Sequence, residues 1–87
     1  MTIGEFAEKI SLLRTKYKFS CTSWFRTQKH NADVGGVSTS WHLLGLAVDL
    51  EFDEHFIYSA NDLYKDASRL GLEALNEGDH WHIEVAD

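Results

Sequence analysis

Two clusters hold the residues with the most chemical capacity. One runs Ser40-Trp41-His42-Leu43-Leu44-Gly45-Leu46-Ala47-Val48-Asp49; the other is Asp79-His80-Trp81-His82. Borderline-soft Zn²⁺ accepts both imidazole nitrogen and ionised carboxylate oxygen. Two imidazoles and one carboxylate form a three-ligand set that leaves a fourth position for water, as in catalytic zinc sites. His42 and Asp49 supply one donor of each kind. For the second imidazole, His80 and His82 are equal candidates, because alternation along a strand puts both on one side. A non-haem iron oxygenase also uses two histidines and a carboxylate. Its first histidine and acid usually lie closer together than His42 and Asp49, which are seven residues apart.

Regular elements must hold these donors in place. Residues Thr2 to Lys18 read as a helix, with Ile3, Phe6, Ile10, Leu13 and Tyr17 forming one apolar stripe. Thr2 and Glu5 fit a capping box at its start. Ser20 to Arg26 reads as a strand, with Thr22 and Trp24 facing outward and Cys21 buried beside Ser23 and Phe25. The stretch Thr27 to Trp41 is irregular, with a short helical turn expected around His30 to Val34. A loop this long in a small domain is usually functional. Ala47 to Phe52 alternates as a half-buried strand: Val48, Leu50 and Phe52 inward, Asp49 and Glu51 outward. A second helix lies between Asp53 and Leu70, its stripe formed by Phe56, Ala60, Leu63, Ala67 and Leu70. Ser59 with Asp62 caps it if it starts late, and Gly71 ends it. Leu72 to Leu75 is a short strand, Asn76 to Asp79 a turn, and His80 to Val85 a final strand. Trp81, Ile83 and Val85 face inward there, and His80, His82 and Glu84 outward. The order implies an α+β fold: a small, mainly antiparallel sheet with helices packed on one face.

At 87 residues, 44% hydrophobic and 25% charged, the chain reads as one globular domain spanning residues 1–87. Such a small core is often supported by a metal, disulfides or a partner. Cys21 is the only cysteine, so no disulfide forms within the chain. A formal charge of -6 argues against binding nucleic acid or an anionic membrane through bulk charge. There is no apolar run of about 18 residues, so no membrane insertion is expected. The first residues lack a basic segment leading into an apolar one. Synthesis in the cytoplasm without a signal peptide is therefore the expectation.

The pattern Ser-x-His-x-x-Gly-x-Ala-x-Asp, with a later Trp-His, resembles the zinc D-alanyl-D-alanine carboxypeptidases and L-alanyl-D-glutamate endopeptidases. These bacterial and phage enzymes cut peptidoglycan peptides, and the Hedgehog signalling domain shares their fold. Trp24-Phe25-Arg26-Thr27 and His30 to Val37 resemble the family's arginine segment and glycine loop. The likeness is dense from Trp24 to Leu50 and from Asp79 to Glu84, and weak elsewhere. It implies a Hedgehog/D,D-peptidase-like fold and zinc ligands at His42, Asp49 and His82. It makes Asp79 the catalytic acid/base, three residues before the last ligand. Many members have glutamate there, and some phage endopeptidases have aspartate. Zinc in such a site lowers the pKa of its water toward 7 and polarises the scissile carbonyl. Asp79 then accepts a proton and passes it to the departing amine.

The same resemblance makes Arg26 a binder of the substrate carboxylate or of the developing oxyanion. Ser40 and His80 are expected to line the substrate cleft. Glu84, on the strand face of His82, is expected to orient that ligand. His30 and His55 are expected at the surface or in packing roles. The implied partner is the peptidoglycan stem peptide, met by a monomer. One loop long enough to wall a cleft favours an endopeptidase, or a relaxed carboxypeptidase, over a closed dipeptidase. Action on the wall then requires release from the cytoplasm, as in phage lysis. A competing class is a binding module of the same fold that keeps zinc and does not hydrolyse.

Overall fold

The computed structural model of the chain describes residues 1–24 and 45–86. Two helices and four strands are present in the order α1 (Ile3–Arg14), β1 (Phe19–Ser23), β2 (Ala47–Phe52), α2 (Ala60–Arg69), β3 (Leu72–Asn76) and β4 (Trp81–Val85). The strands form one sheet in the order β1-β2-β4-β3, and every neighbouring pair is antiparallel. The architecture is the expected α+β one. Phe25 and Arg26, the turn expected around His30 to Val34 and the rest of the long loop lie outside the described residues.

Alternation explains which face of the sheet is buried. Val48 and Leu50 of β2, Ile83 and Trp81 of β4, and Leu72 and Ala74 of β3 are all buried. Phe6, Ile10 and Leu13 of α1 and Leu63 and Ala67 of α2 join them in one cluster. Both helices therefore cover the same face, and the opposite face carries Asp49, His82 and Glu84.

The helix ends differ from the periodicity in instructive ways. At α1 the capping box is present: the Glu5 amide donates to Thr2 Oγ1, and the Thr2 amide to Glu5 Oε1. The helix stops at Arg14 rather than at Lys18. Thr15 and Lys16 donate to the carbonyls of Leu12 and Leu13, three residues back, which tightens the last turn. Tyr17 is nevertheless 2% exposed, carried inward by that turn. Ile3, at the first position of the helix, is 51% exposed and lies off the stripe. Helix α2 starts late, and Ser59 Oγ accepts from the Asp62 amide as a cap. Phe56 therefore precedes the helix and stacks on Phe52 and Tyr58 instead. Ala60 is exposed because it occupies the first turn.

Strand β1 departs most from simple alternation. Cys21 pairs with Leu50 and Ser23 with Asp49, leaving Thr22 as an extra residue. This β-bulge changes the side on which every later residue points. Ser23 consequently lies on the polar face beside Asp49. Trp24, expected outward, turns inward: its ring meets Phe6 edge-on at 5.8 Å and its Nε1 donates to the Gly45 carbonyl at 2.9 Å. Cys21, expected to be buried, is exposed, since β1 is an edge strand.

A polar tie joins α2 to the segment that follows α1. Asp66 of α2 accepts from the Tyr17 hydroxyl at 2.5 Å and from Lys16 Nζ at 2.8 Å, with Arg69 at 3.4 Å. The Lys16 and Tyr17 hydrogen bonds hold the Asp66 carboxyl below its ordinary pKa. Burial and the neighbouring carboxylate push the Tyr17 phenol up, so it remains a donor. A depressed carboxyl stabilises the fold above its unfolded pKa and loses that contribution as pH falls through the folded value. Asp66→Ala should therefore lower the melting temperature at neutral pH, and its deficit should shrink on acidification below the usual carboxylate range. Melting curves of both proteins across that range test this; a deficit that stays constant with pH contradicts it.

Candidate functional site

The pairing of β2 with β4 sets Asp49 directly opposite His82, one register step from the buried pair Val48 and Ile83. The hydrophobic pairs on the inner face therefore dictate the polar pair on the outer one. His82 Nδ1 lies 3.0 Å from Asp49 Oδ1. An ionised carboxylate only accepts, so the imidazole donates from Nδ1 in this arrangement. Its other nitrogen, Nε2, faces Glu84 Oε2 at 3.6 Å, an ion-pair separation longer than a hydrogen bond. All three side chains are largely shielded: 13% of Asp49, 16% of His82 and 20% of Glu84 is exposed.

His80 precedes β4 and extends the array. Its Nδ1 is 2.6 Å from Asp79 Oδ1, and its Nε2 is 4.0 Å from Asp49 Oδ1. Carboxylate and imidazole thus alternate through Asp79, His80, Asp49, His82 and Glu84. The turn into β4 supports this end. Gly78 has φ +91°, a region that favours glycine, and its amide donates to Asn76 Oδ1 at 2.9 Å. The Glu77 amide closes the turn on the His80 carbonyl. Asp79 projects from this turn with its side chain 90% exposed.

The electrostatics follow from these contacts. The hydrogen bond to Asp49 raises the His82 pKa against the opposing pull of burial, and the charges of Asp49 and Glu84 act in the same direction as that bond. The His80 hydrogen bond holds Asp79 below its ordinary value, so Asp79 is ionised at neutral pH.

The structure therefore brings Asp49, His80, His82, Glu84 and Asp79 to one end of the polar face. Arg26, Ser40 and His42 lie outside the described residues. Among the described residues, no three His, Cys, Asp or Glu side chains form a group able to hold a metal. His55 is exposed, as expected of a surface histidine. Ser23, the partner of Asp49 on β1, escapes a reading by strict alternation, and the bulge that places it leaves no mark in composition. Gly45, four residues before Asp49, has φ +71°. That conformation accounts for glycine in the motif and aims its carbonyl at Trp24.

In the metal-free protein the raised His82 pKa should depend on Asp49. Asp49→Ala should lower it, read as a shift of the His82 ring-proton titration by NMR. Glu84→Gln should lower it less, since the hydrogen bond to Asp49 is the larger cause. An unchanged His82 titration in Asp49→Ala would contradict the geometry.

Comparison with known proteins bears on the same face. Neither curated proteins nor solved structures give a match. A family model described as Peptidase M15 matches residues 3–84, which takes in both helices, all of β1 to β3 and most of β4. The chain belongs to the Peptidase M15 family, the zinc D-Ala-D-Ala carboxypeptidase family to which its motifs point.

Proposed function

We propose that the chain is a zinc-dependent peptidase that hydrolyses peptide bonds in peptidoglycan stem peptides, of D,D-carboxypeptidase or L-alanyl-D-glutamate endopeptidase type. The observation that carries this reading is the shielded Asp49–His82 pair at 3.0 Å, in a chain of the Peptidase M15 family. The donor set fits the ion: a carboxylate oxygen and an imidazole nitrogen converge, and Glu84 faces the imidazole's other nitrogen. Metal-binding histidines commonly have such an outer partner, which fixes the ring and its tautomer. His42, Asp49 and His82 would hold the zinc, with the third donor supplied by the sequence before β2.

Zinc held there would supply Lewis acidity toward the scissile carbonyl and acidify water at the site. The remaining roles fall to the chain's own groups. Asp79 accepts the attacking water's proton on its carboxylate and delivers it to the departing amine. The His80 hydrogen bond holds that carboxyl below its ordinary pKa, so it is ionised at neutral pH. It also limits the freedom of an otherwise exposed side chain. Arg26, three residues past the end of β1, binds the substrate carboxylate or the developing oxyanion. Ser40 and His80 line the cleft. The working protein is a monomer acting on the cell wall.

The test compares muropeptides by mass spectrometry before and after digestion with added zinc, alongside metal analysis. The wild type should bind one zinc and cleave; the mass of the released fragment identifies the bond. His82→Ala should lose most of the metal and all turnover, whereas His80→Ala should keep the metal. Asp79→Asn should keep its zinc and slow by about 10²–10⁴-fold, the usual loss for a positioned general base. Full zinc with no wild-type cleavage would favour the binding-module alternative. Near-native turnover of Asp79→Asn would move the proton acceptor to His80 or Glu84.

A further inference from the structure

Asp49 has two cross-strand neighbours on the polar face. His82 approaches from β4, and Ser23 occupies the partner position on β1. Residues directly opposite in an antiparallel pair share a face and lie within side-chain reach. Ser23 stands there only because of the β1 bulge. In an unbroken ladder Thr22 would oppose Asp49, Ser23 would point inward and Trp24 would point outward.

The surrounding contacts keep the bulge in place. Thr22 Oγ1 donates to the Asp49 main-chain carbonyl at 3.3 Å, so the extra residue grips the backbone of the residue it has vacated. Trp24 is held inward by Phe6 and by the Gly45 carbonyl. A bulge leaves a residue unpaired in the ladder, and those beside functional sites commonly re-aim a side chain. Here the side chain re-aimed beside Asp49 is a hydroxyl, half-buried and able to donate.

We propose that Ser23 is a positioning residue that holds the Asp49 carboxylate from the β1 side. A carboxylate offers several lone-pair positions. A hydroxyl on one side leaves the oxygen nearest His82 aimed into the space between Asp49 and His82. Carboxylates that bind metals are typically hydrogen-bonded in this way. The inference rests on the reading of Asp49 as a zinc ligand.

The test measures zinc affinity by competition with a chromophoric chelator, the visible spectrum of the cobalt-substituted protein, and the melting temperature of the metal-free protein. Ser23→Ala should weaken zinc binding about 10–100-fold, the usual cost of losing such a partner. It should alter the cobalt bands and leave metal-free melting unchanged. Ser23→Thr keeps the hydroxyl and should restore most of the affinity. Cys21→Ser, opposite Leu50 on the other face, should behave as wild type. Wild-type zinc affinity and cobalt spectrum in Ser23→Ala overturn the proposal while leaving the metal reading intact. A destabilised metal-free Ser23→Ala that threonine does not rescue overturns it in favour of a packing role. A wild-type protein that binds no zinc overturns the metal reading itself, and this proposal with it.

Discussion

The pairing of β2 with β4 is the constraint on which the rest of the molecule depends. These are the two central strands, and their register is set by apolar residues. Val48 opposes Ile83 and Leu50 opposes Trp81, and all four are buried under the helices. Side chains on a strand alternate with a period of two, so a slip by one residue would turn each of them to the other face. Burying that inner set costs the chain its freedom to pair differently. Asp49 and His82 lie between these pairs and have no independent choice of partner. Their 3.0 Å approach is thus a by-product of core packing, which makes it stiff.

The outer face has a different logic. Five side chains from the turn before β4, from β2 and from β4 form an alternating acid and imidazole series. Each imidazole lies between two carboxylates, with separations from 2.6 to 4.0 Å. Carboxylates this close repel one another where water is scarce, and the interposed rings reduce that cost. The exposed end, Asp79, sits in high-dielectric surroundings and stays ionised. The shielded end, around Asp49, His82 and Glu84, is where a cation would gain most. The ring of His82 has one nitrogen toward Asp49 and the other toward Glu84, so its orientation is constrained from both sides.

Much of this was legible in the sequence because it follows from periodicity. The bounds of β2, the capping box at Thr2 and Glu5 and the late cap at Ser59 all rest on local rules, whereas β3 runs one residue further than expected, to Asn76, and β4 begins one residue later, at Trp81. The grouping of Asp49, His82 and Glu84 on one face rests on alternation alone. Other features were not legible for specific physical reasons. The early end of α1 depends on hydrogen bonds three residues back at Thr15 and Lys16, which compete closely with continued helix. The exposure of Cys21 depends on β1 being an edge strand, a property of topology rather than of its own residues. The bulge at Thr22 is the clearest case. Nothing in Ser20-Cys21-Thr22-Ser23-Trp24 separates five alternating residues from a bulged strand. The choice is made by distant groups, Phe6 on α1 and the carbonyl of Gly45, which together capture the indole of Trp24.

That capture also joins two points of the described chain that are distant in sequence. Trp24 and Gly45 are 21 residues apart, yet the indole nitrogen of one donates to the carbonyl of the other at 2.9 Å. Bringing two such points together costs conformational entropy that grows slowly with the length between them. The tryptophan offsets it by packing on Phe6, itself 0% exposed. The junction therefore draws on the main core for its stability. In the sequence, Arg26 follows Trp24 by two residues and His42 precedes Gly45 by three. Gly45 must combine a left-handed backbone with an accepting carbonyl, and a side chain there would disfavour that conformation. The motif glycine, the inward tryptophan and the β1 bulge thus act as one device, coupling the buried face of the sheet to the geometry of its polar face.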